Sequence, residues 1–581
     1  MITRALRLAM AALLAVTAAI AGPSAASAHG AAREEAVAKT WFVRAAGNSG
    51  GDGSRGRPFE TLSAVQRASH PGDRIVVLRS RRTLDGGIKL KPRQRLLGAG
   101  PSVRRLRPSA PAPKIENSSP SVNAGDAIEL ADGVTVSNIA VVGADRGGIY
   151  GSNVRNVSVR GNHVTATNTS CTTGFVVQPF VLPTTAPGVG VPFSSGLANG
   201  WAAIMVDETR GRASISIRSN LVKDVACGDG IDVRASGKAR VEANVRRNRL
   251  TRLHQGAAQQ SILAIGMQTR GTARLSAHVD RNRETYIGTA SVGDFGEADS
   301  EGLFANSAGR SHLTERATHN TFAHGLGHIS ANCVEVAASN GGPTMHMTLS
   351  DSTCKYVVGD ILEAGNLSRD ATMTFDVDHV RAAHSTFAGS TEFHQAEPGD
   401  DGDCMLEVAS GATSTTIVNI RDSVFTKCVA DGLGVVSNVV DGSGPVKRLG
   451  FSVENSRIAD NKLSNLRVVN ATPISRLDGR VEDTDLSESE GTPVILEGLD
   501  TSGGTHPRLD LGGGSLGSRG HNCIFGGAQT DVEAVNYDLW AGHDWWGAPG
   551  GPTTGRTIAA GSTIFDKAPL ATAACGPTTS G

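Results

Sequence analysis

Aromatic residues are scarce in this chain, at 4% of positions, which excludes a core built on large rings and leaves a narrow one of small aliphatic side chains. Neither sign of charge is in excess, with Lys+Arg and Asp+Glu at 56 each. Bulk electrostatics therefore recruits neither nucleic acid nor an anionic membrane surface. After the first residues, no apolar run approaches the roughly 20 residues that span a bilayer. No Cys-x-x-Cys pair or His/Cys cluster has zinc-binding spacing.

Small residues are abundant. Glycine occurs 71 times, as a chain of many tight corners requires. Residues 1–28 carry Arg4 and Arg7, an apolar run and Ala26-Ser27-Ala28, the pattern of a secretory signal cleaved before His29. The mature protein is expected to be soluble, secreted and monomeric. Its eight cysteines permit up to four disulfides in an exported chain. Cys523 with Cys575 would tie down the C-terminal end, and the alternative for some of the eight is a buried thiol.

One unit recurs through residues 201–500: a short alternating apolar run, a Gly- or Ser-bearing turn, a second alternating run, then Asn or Asp before another apolar residue. The first runs start at Ile204, Ile231, Ile265, Leu303, Val334, Leu362, Leu406, Leu433, Leu466 and Ile495. Their spacing is that of a solenoid, propeller or array. Alternation of period 2 argues for strands rather than helices. Asn220, Asn248, Asn282, Asn320, Asp351, Asp378, Asp422, Asn455 and Asp483 end successive units. These residue types tolerate left-handed backbone and suit a sharp corner. The expectation is an all-β, parallel β-helix solenoid with an Asn/Asp ladder up one edge.

Residues 29–80 read as an opening segment and cap. Pro58 marks a helix start, and Phe59, Leu62, Val65 and Ala68 share one helical face that would plug the first turn. Residues 81–170 hold the first turns, with Asn138 and Asn162 at corners. Residues 171–200 form an apolar, Pro-bearing insertion, read either as a flap beside a groove or as a cover over an edge. The main repeats fill 201–520, and 521–581 close the stack.

The opening segment resembles that of right-handed parallel β-helix proteins of the pectin-lyase-like superfamily. At the far end, His543-Asp544-Trp545-Trp546-Gly547 is similar to the N-W-W-G ending of many members, with Asp544 in place of Asn. Trp545 and Trp546 are expected to close the core; the alternative is an aromatic platform for sugar. The resemblance implies a secreted protein that binds and cleaves an extended, acidic polysaccharide as lyase or glycoside hydrolase. Non-catalytic adhesins and structural modules share this shape, so that class stays open.

The candidate chemistry lies on the faces of the turns. Asp207, Asp232, Glu335, Glu363 and Glu407 each follow an inward apolar residue and are expected to form an outward acidic stripe. With strands about 4.8 Å apart, Glu335, Glu363 and Glu407 would stand in one column. Carboxylates two turns apart, at roughly 9.6 Å, would suit an inverting glycosidase. Alternatively they could hold Ca²⁺, as in a lyase, or merely be solvated.

A second cluster, Asp229, Asp232 and Arg234 near Lys223 and Asp224, lies in a GDGID stretch that resembles part of the NTDGID motif of polygalacturonases. Their leading Asn-Thr is missing here, and the nearest GDD, at residues 399–401, follows the histidine-bearing HGLGHIS rather than preceding it. No catalytic residue is carried over from that family. His324 and His328, four residues apart, are candidates for a general base or for metal ligation, against a corner role.

Overall fold

Short strands, most with alternating burial and linked by sharp corners, wind the chain into a three-faced coil. One full turn shows the plan: Ile204–Glu208, Arg212–Arg218 and Leu221–Val225, with the next turn starting at Ile231–Ala235. We call the three faces the leading, middle and trailing sheets. The computed structural model describes residues 38–572 apart from 47–49, 106–109, 177–179, 184–189, 194–197, 255–260, 289–298, 327–330, 387–401, 438–443, 471–473, 475, 499–505, 566–568 and 571. The leader, His328 and Cys575 fall outside the described residues.

Each strand pairs in parallel with its counterpart one turn on: Ile204 with Ile231, Arg212 with Arg240, Leu221 with Arg249. The middle sheet runs this way from Thr40–Val43 to Ile564–Phe565, and the leading sheet from Ile88–Lys89 to Thr557–Ala560. Alternate residues of every strand point inward, so Ile204, Val206, Ile231, Val233, Ile265 and Met267 belong to one continuous core. The structure is therefore a parallel β-helix.

The corner between middle and trailing sheets carries the polar ladder, in two parts. Asn162, Asn220, Asn248, Asn282 and Asn320 are buried, and the side-chain amide of each of the first four donates to the Asn oxygen of the next turn at 3.0–3.1 Å. The series continues through hydroxyls: Ser352 accepts from Asn320 N–H, Ser456 from Ser423 N–H and Thr484 from Ser456 N–H. Asn522 and Asp544 complete it. The left-handed residue is the one just before each ladder member. Asp351, Asp422, Asn455 and Asp483 fill that position, but so do Ser219, Arg247, Arg281 and His319. The expectation thus merged two adjacent columns. Asp378 belongs to neither, because His379 takes the left-handed place.

The opening helix is Leu62–Ala68, capped by the Thr61 hydroxyl, which accepts from Ala64 N–H at 3.2 Å. It starts after Phe59, not at Pro58, because Phe59 is bridged to Val43 and packs against Trp41. Leu62 and Val65 join the core. In the insertion, Phe180–Pro183 and Gly190–Phe193 pair as an antiparallel hairpin, and Cys171 at its base is bonded to Cys227. Cys404 is bonded to Cys428, Cys523 is also disulfide-bonded, and Cys333 and Cys354 are buried free thiols. At the far end Trp546 is buried in the core, while Trp545, expected to close it as well, is half-buried. Among the described residues no helix is long and apolar enough to cross a membrane.

Candidate functional site

The outer face of the leading sheet changes character along the stack. Toward the C-terminal end it is apolar, with Leu406, Val436 and Val469 packed together. Toward the N-terminal end it is polar. One outward column, level from turn to turn, runs Glu129, Tyr150, Met205, Asp232, Gly266, Phe304, Glu335 and Glu363. Next to it runs Asp207, Arg234, Gln268 and Asn306. Asp207 therefore stands beside the expected stripe rather than in it.

Asp229 and Asp232 are brought together, and both are fully buried. Asp229 Oδ1 accepts from Leu263 N–H at 2.8 Å, while its other oxygen and both oxygens of Asp232 have no hydrogen bond of ordinary geometry among the described residues. Burial lifts both carboxyls above their ordinary range, and the charge of Asp232 pushes Asp229 further. The pair thus holds a proton at neutral pH, shared between facing carboxyls. Gly266 makes room for this arrangement, because a Cβ there would lie 2.6 Å from Asp232 Oδ1.

A cation, Arg234, acts on the pair. Arg234 grips Asp207 through two bonds of 2.9 and 2.8 Å, which raises its own pKa. Arg270 is lowered to about 10 by burial and by the neighbouring Arg234 charge. On the other side, Tyr150 meets Trp201 edge-on at 5.1 Å. The Arg146 guanidinium lies 4.0 Å from the Trp201 ring centre and is paired with Asp126 at 2.7 Å. This aromatic and cationic group was not anticipated, because Arg146, Tyr150 and Trp201 sit at sequence positions with no recurring pattern. Lys223 and Asp224, expected nearby, belong to the trailing sheet instead, where Asp224 pairs with Arg252 and Lys223.

Glu335 and Glu363 are level on adjacent strands, both half-buried, and Asn332 donates to Glu363 at 2.9 Å. Glu407 does not join them. Leu406 is level with Glu363, and Glu407 is level with Ala364 and Val435. Because side chains alternate with period 2, this one-residue slip sends Glu407 to the interior. It is fully buried with no partner on either oxygen, and burial drives its pKa well up. The strand there begins at Met405, not Leu406, and the later one at Val494, not Ile495.

His324 is part of a stack of rings. Its ring lies between those of Tyr286 and Tyr356, at 5.1 and 5.2 Å, and His384 continues the stack at 4.9 Å. All four residues have left-handed backbone on successive turns of the trailing sheet. Among the described residues, three metal-type ligand atoms come within 4.8 Å of one another at Asp378, His379 and Asp422, on the corner opposite the leading sheet.

No protein-family profile and no curated protein matches the chain. Among solved structures it is similar to pectate lyase Pel9A, at 11% identity and TM-score 0.24 over 76% of this chain and 78% of that one. It is also similar to GH136 lacto-N-biosidase from Eubacterium ramulus, at 10% identity and TM-score 0.32 over 73% and 67%. A third is DFA-IIIase from Arthrobacter chlorophenolicus A6, at 15% and 0.25 over 71% and 92%. At such identities no chemistry transfers. The registers of its three sheets make this chain a parallel β-helix, the fold expected from its resemblance to the pectin-lyase-like superfamily.

Proposed function

We propose that this is a secreted carbohydrate-active protein that cleaves an extended polysaccharide along the outer face of the leading sheet, with Asp229 and Asp232 as the proton-handling pair. The observation that carries this reading is a buried pair of neighbouring carboxyls, Asp232 on the outward column and Asp229 just before its strand, with three of the four oxygens lacking a hydrogen bond of ordinary geometry among the described residues. A group poised to hold a proton at neutral pH can deliver it to a glycosidic oxygen as the bond to the sugar breaks. Arg234 supplies positive charge beside it. Tyr150 and Trp201 offer apolar surface to a sugar ring.

Glu335 lies three strands beyond Asp232 in the column, about 14 Å away at ~4.8 Å per strand. That exceeds the roughly 6.5–9.5 Å of an inverting pair, so Glu335 and Glu363 serve a separate position along the glycan. The leader pattern and the disulfides support export.

The test is a screen of the protein from His29 onward against acidic and neutral polysaccharides, with and without Ca²⁺, reading reducing ends and ultraviolet absorbance together. Asp232→Asn and Asp229→Asn should each abolish product while leaving the fold intact by circular dichroism. Full activity in both variants would reject the assignment. A second reading, a non-catalytic structural module, is favoured by one observation: Glu284, Glu315 and Glu407 are also buried without partners, so unpaired carboxyls occur outside any candidate cleft. Silence across the whole panel by folded protein would favour it.

A further inference from the structure

The middle sheet presents a feature unrelated to the acidic column. Arg212, Arg240, Arg274 and His312 are level on four successive turns and all four are exposed. None of the three arginines has an acidic or hydrogen-bonding partner among the described residues. They line a trough of about 660 Å³ together with Ser214, Glu242, Ser276 and Thr314. Two residues upstream, Arg210, Lys238 and Arg310 are exposed at the corner of three of these turns, so the cationic strip is two residues wide.

Like charges stacked directly across neighbouring strands repel and destabilise a sheet. Several arginines elsewhere are answered, Arg234 by Asp207, Arg246 by Asp280 and Arg448 by Asp478, and other level arginines without an acid among the described residues, such as Arg74 with Arg95 and Arg249 with Arg283, run for two turns and not three. The chain as a whole is neutral, so the strip is a local accumulation and not the overflow of a basic protein. It also ends abruptly, since the same column continues as Thr344, Thr372 and Thr415.

We infer that this strip is a second glycan-binding surface, which holds a linear acidic polysaccharide through one guanidinium per turn. Consecutive guanidinium groups recur every ~4.8 Å along the stack, about the span of one pyranose ring in an extended chain. Each can therefore meet the carboxylate of a successive sugar in a charge-assisted, bidentate bond. The adjoining column, Ser214, Glu242, Ser276 and Thr314, offers hydroxyls, with Glu242 the one acid, to the sugar hydroxyls. A single-stranded nucleic acid would need aromatic platforms for its bases, and the trough lining contains none. The inference extends the carbohydrate reading by giving the glycan its charge, and it rests on that reading for the choice of a glycan over other polyanions.

The experiment measures binding of polygalacturonate, neutral galactan and a single-stranded oligonucleotide to the whole protein at low and high ionic strength. It compares wild type with the surface variant Arg212→Ser/Arg240→Ser/Arg274→Ser, after checking that both melt alike. The expected result is polygalacturonate binding weakened roughly tenfold or more in the variant, suppressed by salt in wild type, and absent for galactan. Undiminished binding by the variant, no polygalacturonate binding by folded wild type, or equal binding of the oligonucleotide with the same arginine dependence would each overturn it. Asp229→Asn separates the two readings: it should bind polygalacturonate as wild type does even if all cleavage is lost. Binding without cleavage by wild type would retain the strip and remove the enzymatic assignment.

Discussion

Ala364 and Glu407 lie level on adjacent strands of the leading sheet, so a glutamate carboxyl occupies the interior layer that a methyl group fills one turn earlier. Two more turns have the same construction. Glu315 is level with Ala277 and Met347, and Glu284 with Leu250 and Phe322. All three carboxyls are buried and without a hydrogen-bond partner among the described residues.

Such groups make stability fall with pH. Burial raises Glu315 from its ordinary 4.5 to about 8. The folded form therefore holds the proton more tightly than the unfolded chain. Its contribution is intact below about pH 4.5 and is lost as pH rises through about 8. Glu315→Met and Glu407→Leu should each raise stability at pH 9 by roughly 1–3 kcal/mol and leave it nearly unchanged at pH 4. Thermal melts across that range decide the matter; a pH-independent difference would mean the carboxyls are not buried as described.

The space at Gly266 should be as sensitive as its neighbours suggest. A methyl group there would meet Asp232 Oδ1 at 2.6 Å and Leu263 Cδ1 at 2.9 Å. Gly266→Ala is expected to cost about 1–3 kcal/mol by overpacking. Combined with Asp232→Ala, part of that cost should return, giving a coupling that a double-mutant cycle in urea can read. Strict additivity would show that the two residues do not touch.

Asn248, like Asn220 and Asn282, is bonded to the ladder members on both sides. It accepts from the Asn220 backbone and side chain and donates to Ile217 O and to Asn282. Asn248→Ala strands buried groups on both sides and should cost about 3 kcal/mol or more. Ser456→Ala, which removes a bond accepted from Ser423 N–H and one donated to Glu454 O, should cost less. Urea midpoints for the two variants provide the comparison, and equal losses would argue against a graded ladder.

The thiols divide cleanly. Alkylation of unfolded, unreduced protein followed by mass mapping should label Cys333 and Cys354 and leave Cys171, Cys227, Cys404 and Cys428 unlabelled. Label on Cys171 or Cys227 would contradict the anchoring of the insertion.

Most of the winding was legible because period 2 in the side chains is a strong signal: Ile204, Ile231, Ile265, Leu303, Val334 and Leu362 all lie level in the leading sheet. The failure came after residues 387–401, where the next strand, MLEVA, offers Met405 or Leu406 as its first inward residue. Only the partner strand settles that parity, and it decides whether Glu407 faces solvent or core. The Asp229 and Asp232 pair was legible as a cluster, but its burial was not, since alternation assigns a side to a residue and not what lies over it. The ladder was legible at Asn220, Asn248, Asn282 and Asn320. It was misread once serine replaced asparagine, because the neighbouring Asp351 and Asp422 looked like better corner residues than Ser352 and Ser423.

From Arg212–Arg218 to Leu221–Val225, from Arg240–Arg246 to Arg249–Leu253 and on through Arg448–Glu454 to Arg457–Ala459, the crossing at the ladder corner keeps one unvarying length. The return from trailing to leading sheet ranges from short links to the stretch between Thr386 and Met405. One edge of the molecule is thus ruled like a spine, and the other is open to editing. New segments can be spliced into the editable edge, which borders the leading sheet, without disturbing the pitch of the coil. A lineage built on this plan can renew the surroundings of its candidate cleft while inheriting the scaffold unchanged.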